Sequence, residues 1–181
     1  MNEFYVPTDV ETTGLHPWKG HLLLELAAYV IVPSYPYEVV AGPFEAVIQH
    51  DREKAFNQAS PYVQDMHTAT GLWDRLEDGE PIAQVDERFR AWLKESGVGF
   101  REGYILGNSA RLDANFIDYY LPKSAEWLHY RIIDVTSLGT YSRLEFGVPV
   151  LEKVGAHQAL QDIDETMAEI SHITKELTCA D

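Results

Sequence analysis

Residues 4–15 read FYVPTDVETTGL. The run is apolar and β-branched up to Glu11, and Thr12-Thr13-Gly14 then breaks it, so residues 4–11 are expected to form a strand. Side chains alternate along a strand, and Asp9 and Glu11 are two apart, so both carboxylates point to one face. Two like charges side by side repel unless a cation lies between them. By itself the pair is equally what an edge strand with two solvated acids would show.

Working outward, residues 22–32 (LLLELAAYVIV) are almost wholly apolar, interrupted by Glu25. That run is too short and too polar to span a bilayer and reads as a second, buried strand. Pro33-Ser34-Tyr35-Pro36 turns the chain, and residues 39–49 suit a third strand that Gly42-Pro43 breaks or bulges. Ser60-Pro61 has the form of a helix cap followed by proline at the first helical position, and that helix should run to Thr70 and stop at Gly71. Ile82, Val85, Phe89, Trp92 and Leu93 form a helical stripe closed by Gly97. A short buried strand over 104–107 precedes a helix over 110–120, ended by Pro122. Another strand covers 131–135 and another helix 136–145. Leu160, Ile163, Met167, Ile170, Ile173 and Leu177 mark the last helix by their three-and-four spacing. Three early strands followed by alternating helices and strands predict an α/β domain with a mixed sheet.

The 181 residues suffice for one domain with a sizeable core, and 45% hydrophobic content excludes a disordered chain. The start of the sequence lacks a basic segment followed by an apolar one, which argues against secretion. The single cysteine, Cys179, permits no intrachain disulfide, and a reducing cytoplasm is the expected location. A net charge of −15 argues against a protein that grips long nucleic acid through many phosphate contacts. It leaves room for a nuclease whose local positive charge is supplied by metal.

Three more residues extend the acidic pattern. Asp113 has Phe116, Ile117 and Tyr120 at i+3, i+4 and i+7, so it shares its helix face with core residues. A charge there costs several kcal/mol unless it is partnered. Backbone amides of its own helix turn could meet that need equally well, since the first turn favours an anion. Asp162 lies off the apolar stripe of the last helix, and His157 precedes it by five residues. Asp164 and Glu165 are nearby rivals for any acidic role.

The order of these elements carries more than any one of them: Asp-x-Glu on a first strand, an aspartate opening a helix midway, then His-x4-Asp on the last helix. This resembles the DEDDh 3′-to-5′ exonucleases of the ribonuclease-H-like superfamily. Three further stretches resemble the oligoribonuclease branch: GNSARLDANFIDYYLP (107–122), HYRIIDVTSL (129–138) and HTATGL (67–72). The resemblance runs from Phe4 to Ile170. It implies a mixed five-stranded sheet flanked by helices and one exonuclease domain over 1–181. The implied activity is metal-dependent 3′-to-5′ hydrolysis of very short RNA to mononucleotides.

By the same resemblance Asp9, Glu11, Asp113 and Asp162 would hold two divalent ions, Mg²⁺ or Mn²⁺, and His157 would be the general base. Leu15 would wedge between two bases and Tyr62 would stack on one. Ser109, Thr136 and Ser137 would cap the terminal phosphate. Tyr130 and Arg131 would reach into the partner's site of a homodimer. The alternatives are the same chemistry on single-stranded DNA or RNA ends, as in proofreading or ribonuclease T-like enzymes, and a non-catalytic nucleic-acid-binding module on this fold. Thr12 stands where oligoribonucleases more often carry methionine, and the basic residues that usually follow the DVS block are missing after Leu138.

Among the remaining residues, His16, His21, His50 and His172 have no ligand spacing and read as surface or capping groups. His67 reads first as structural within its helix, with contact to substrate as the alternative. Trp18 and Trp73 could contact bases but read first as packing aromatics at helix ends, Trp92 belongs to the core stripe, Trp127 could lie at an interface, and Asp134 could cap the helix that follows it.

Overall fold

Strand β1 (Phe4–Thr12) is the seam of the sheet. On one side it pairs antiparallel with β2 (Leu23–Ile31), which pairs antiparallel with β3 (Val39–Val47). On the other it pairs parallel with β4 (Gly103–Gly107), which pairs parallel with β5 (Ile133–Asp134). The order is β3-β2-β1-β4-β5, a mixed five-stranded sheet as expected. The computed structural model describes residues 3–151 and 158–178.

Short hairpin connections serve the antiparallel half, whereas the parallel half requires helical crossovers. Between β3 and β4 run α1 (Arg52–Gln58), α2 (Pro61–Thr70), a 3₁₀ turn (Leu72–Arg75) and α3 (Ile82–Glu95). Between β4 and β5 run α4 (Arg111–Tyr120) and α5 (Pro122–Trp127), and after β5 come α6 (Val135–Phe146) and α7 (Ala159–Thr178).

The two faces of the sheet bury different partners. Val6, Val10, Leu26, Ala28 and Val30 pack with Val85, Phe89 and Leu93 of α3 and Phe116 and Ile117 of α4. On the opposite face Ala27 meets Ala159 and Ile163 of α7, and Leu106 meets Val135 of α6 and Ile170 and Ile173 of α7. Because Val10 faces α3 and α4, its neighbours Asp9 and Glu11 face α7.

Several expected boundaries shift. The third strand, expected over 39–49, ends at Val47 and runs through Gly42-Pro43, and its register against β2 slips between Ala28 and Val30, a bulge rather than a break. The strand expected over 131–135 is only two residues long. Pro122 does not simply end α4; it opens α5 as its first helical residue. The reason lies far away in sequence. Asp86 of α3 is buried and accepts from Lys123 N (3.0 Å), Ser124 N (2.8 Å) and Ser124 Oγ (2.7 Å), capping α5 from another helix. Helix α1 was not expected; Asp51 starts it by accepting from Lys54 N at 2.8 Å. Ser60 and Gly71 cap α2 as read, and Asp134 caps α6 through Ser137 N. Among the described residues no helix is long and apolar enough to cross a membrane.

Candidate active site

The DVETTGL segment bends where its acids are needed. The β1–β2 register slips between Glu11 and Thr12, and a bulge of this kind re-aims side chains. The two threonines then shape the turn: Thr12 Oγ1 donates to Gly14 O (2.8 Å) and Thr13 Oγ1 accepts from Leu22 N (2.8 Å). A threonine at position 12 therefore has a local structural use. Gly14 is needed for close approach, since a Cβ there would sit 2.6 Å from the His21 ring.

Helix α7 brings Asp162 down onto this end of β1. Asp9, Glu11 and Asp162 each offer a carboxylate oxygen, and these lie within 4.8 Å of one another. Oxygen ligands at 2.0–2.6 Å around one ion are separated by at most about 5 Å, so the three fit a divalent cation. Asp113 arrives from the other face of the sheet. It is buried in the first turn of α4, and its Oδ1 accepts from Val10 N at 3.1 Å. The partners that a charge on the apolar stripe required are thus two amides, its own in the first turn of α4 and that of Val10 in β1, between Asp9 and Glu11. His157 and Cys179 lie outside the described residues.

Crowding and burial act on these acids together. Burial pushes the Glu11 carboxyl up to about 8, reinforced by Asp162, Glu25 and Asp113. Burial raises Asp9 well above the usual carboxylate range, with Asp113, Glu11 and Asp162 adding to it. Asp113 rises to about 7, again mainly through burial, although its own amide and that of Val10 oppose the rise. Such groups ionise together only if positive charge enters the cluster.

Two residues behind the cluster were not assigned a part from sequence. Glu25 lies directly across from Glu11 in the β1–β2 register and is buried. Arg75 of the 3₁₀ turn donates to Glu25 Oε1 at 2.7 Å. The available signal was Glu25 itself, a charge inside an apolar run. His67, read as structural, is fully buried, but it stands against the site: its Nε2 is 3.1 Å from Thr12 O and 3.9 Å from Glu11 Oε2.

Beside the acids lies a cleft of about 650 Å³ whose wall includes Glu11, Gly14, Leu15, His21, Tyr62 and Met66. Leu15 and Tyr62 are exposed in it. The phosphate-capping residues expected from sequence sit at the ends of β4 and β5. Ser109 has φ 54°, the left-handed region, and its N–H donates to Thr136 Oγ1 at 3.2 Å. Thr136 Oγ1 donates to Asn108 Oδ1 (3.2 Å), and Asn108 Nδ2 donates to Thr166 Oγ1 of α7 (2.8 Å). Thr166 Oγ1 in turn donates to Asp162 O (2.9 Å), so this lattice also steadies the helix turn that carries Asp162. Tyr130 is exposed, stacks on His129 and carries Arg131 over its ring at 5.2 Å.

Trp73 is buried and donates to Gln64 O, a packing aromatic as expected. Trp18 is not. It is 58% exposed, because the buried residue of its turn is Pro17.

The exonuclease family model matches residues 6–170. The chain is 34% identical over 166 residues to a probable oligoribonuclease of Schizosaccharomyces pombe, covering 91% of this chain and 64% of that protein. It is 32% identical over 177 residues to an oligoribonuclease of Streptomyces coelicolor, covering 95% of this chain and 86% of that one. Among solved structures it is similar to Escherichia coli exonuclease I in complex with a dT13 oligonucleotide, with a TM-score of 0.69 and 17% identity. That match covers 97% of this chain and 42% of the exonuclease. The structural likeness bears on the fold, a ribonuclease-H-like sheet.

Proposed function

This chain belongs to the exonuclease family and to its oligoribonuclease branch, and from that footing we propose that it is a 3′-to-5′ exoribonuclease that degrades very short RNA to mononucleotides. Residues 1–181 act as one catalytic domain in the cytoplasm. The observation that carries this reading is the double placement of Glu11, which belongs to the carboxylate cluster and also to the wall of the cleft. A strand end seated in that cleft lies beside the acids.

Asp9, Glu11, Asp113 and Asp162 hold two divalent ions, Mg²⁺ or Mn²⁺. Bound there, such ions supply Lewis-acid activation of the attacking water and neutralise charge on the leaving 3′ oxygen. His157 takes the proton from the attacking water, a task suited to an imidazole near neutral pH. Leu15 separates two bases and Tyr62 stacks on one, a contact that tolerates any base. Ser109, Thr136 and Ser137 cap the terminal phosphate. Tyr130 and Arg131 serve the site of the partner subunit in a homodimer, where an arginine can bind phosphate bidentately.

The test is incubation with 5′-labelled RNA of two to seven nucleotides and with matched DNA, in Mg²⁺, Mn²⁺ or EDTA. Stepwise shortening of the RNA to mononucleotide, abolished by EDTA, is expected. Equal or faster degradation of long single-stranded DNA would move the protein to the proofreading or ribonuclease T-like reading.

A further inference from the structure

Three aromatic rings outside the catalytic set form a row that begins at the wall of the cleft. His21 lines the cleft wall. His16 stacks beside it, with ring centroids 6.2 Å apart and planes 17° apart. Trp18 stacks on His16 at 5.1 Å and 27°. The row therefore leads outward from the cleft and ends on a tryptophan that is 58% exposed.

The row is held rigidly. His16 N donates to His21 Nδ1 at 3.0 Å, and Tyr120 Oη donates to His21 O at 2.8 Å. Pro17–Lys19 is a 3₁₀ turn with Pro17 buried, and Gly20, at φ 89°, closes it with an N–H donated to Pro17 O. Pro17 restricts its own φ, and a glycine takes the left-handed closing position without strain. Trp18 thus has one ring face on His16 and leaves the other open to solvent. Lys19 beside it is exposed and cationic on a chain of net charge −15.

We propose that the His21–His16–Trp18 row is a base-stacking subsite for a nucleotide beyond the pair straddling Leu15, so that Trp18 sets how well oligonucleotides longer than two residues compete with dinucleotides. The occupant is a nucleobase of the substrate strand leaving the cleft, because the row is continuous with the cleft wall through His21. Imidazole and indole faces stack on bases without sequence preference, and the Lys19 ammonium suits the adjoining phosphate. This rests on the exoribonuclease reading of the same site.

The experiment compares wild type, Trp18→Ala and Trp18→Phe on two- and five-nucleotide RNA. The ratio of kcat/KM for the five-mer to that for the dimer should fall about tenfold in Trp18→Ala, through KM. Trp18→Phe, which keeps a stacking face, should restore most of it. His16→Ala removes the ring beneath Trp18 and should lower the ratio in the same direction, which covers the case of an unfolded Trp18→Ala. An unmoved ratio, or an equal fall on both substrates, overturns the subsite. Wild-type protein that cleaves neither RNA overturns the exoribonuclease reading and the subsite with it; wild-type activity with an unmoved ratio overturns the subsite alone.

Discussion

Raising the pH in the absence of metal should destabilise this protein, and the carboxylate cluster says by how much. Glu11 ionises at about 8 in the folded chain, against 4.5 for an ordinary glutamate. Between those values the folded state holds a proton that the unfolded chain has released, so stability falls as pH rises. The contribution is fully present below about 4.5 and is lost as pH passes through 8. At 1.36 kcal/mol per unit, Glu11 alone removes roughly 3–4 kcal/mol between pH 5 and pH 8. Asp113, raised to about 7, acts in the same direction and is electrostatically linked to its neighbours. For a chain of this size the loss corresponds to a fall in Tm on the order of 10 °C. Thermal melts in EDTA from pH 5 to pH 8 should show it. Saturating Mn²⁺ should raise Tm most at pH 8 and flatten the profile, since binding requires ionised carboxylates. Glu11→Gln should remove much of the slope in EDTA and melt higher than wild type at pH 8. A Tm that rises over this range in EDTA, or a slope unchanged in Glu11→Gln, would refute the account of crowded, desolvated acids.

Asp9→Ala, Asp113→Ala and Asp162→Ala should each lower turnover by several orders of magnitude with a native circular dichroism spectrum; near-wild-type rates in any of them remove that residue from the metal set. His157→Ala should lower turnover by about 10²–10⁴-fold, while calorimetry finds metal affinity largely kept. Mixing inactive Asp9→Ala subunits with inactive Tyr130→Ala subunits should restore part of the activity, and verified subunit exchange without recovery would argue against a shared site. Asp86→Ala strands two amides at the start of α5, while Ser124 Oγ keeps its bond to the carbonyl of residue 86, and should cost roughly 2 kcal/mol in denaturant unfolding; a loss under about 0.5 kcal/mol would show that α5 does not depend on the cap.

Sequence patterns disclosed whatever depended on local periodicity. Asp9 and Glu11 could be placed on one face because strand side chains alternate, and Asp113 stood out because a charge on a core stripe must be partnered. The helix stripes on α3 and α7 were legible for the same reason. What escaped depends on groups distant along the chain. Asp86 starts α5 from 37 residues before Lys123, so a reading confined to neighbours sees in Pro122 only a stop. The Arg75–Glu25 pair joins residues 50 positions apart. Two differences are local instead: Trp18 is exposed beside a buried Pro17, and β5 pairs with β4 only over Ile133 and Asp134.

The strand order has a consequence for how the molecule is made. β1 can zip to β2 almost at once, a local hairpin with low loop-closure entropy. Its parallel partner β4 is synthesised some ninety residues later, and α7, which carries Asp162, later still. Asp9 and Glu11 lie side by side from the start, whereas Asp113 and Asp162 join them only when α4 and α7 dock. Divalent metal in the surrounding solution should therefore favour the docking of α7, which brings Asp162 to Asp9 and Glu11, more than closure of the β1–β2 hairpin.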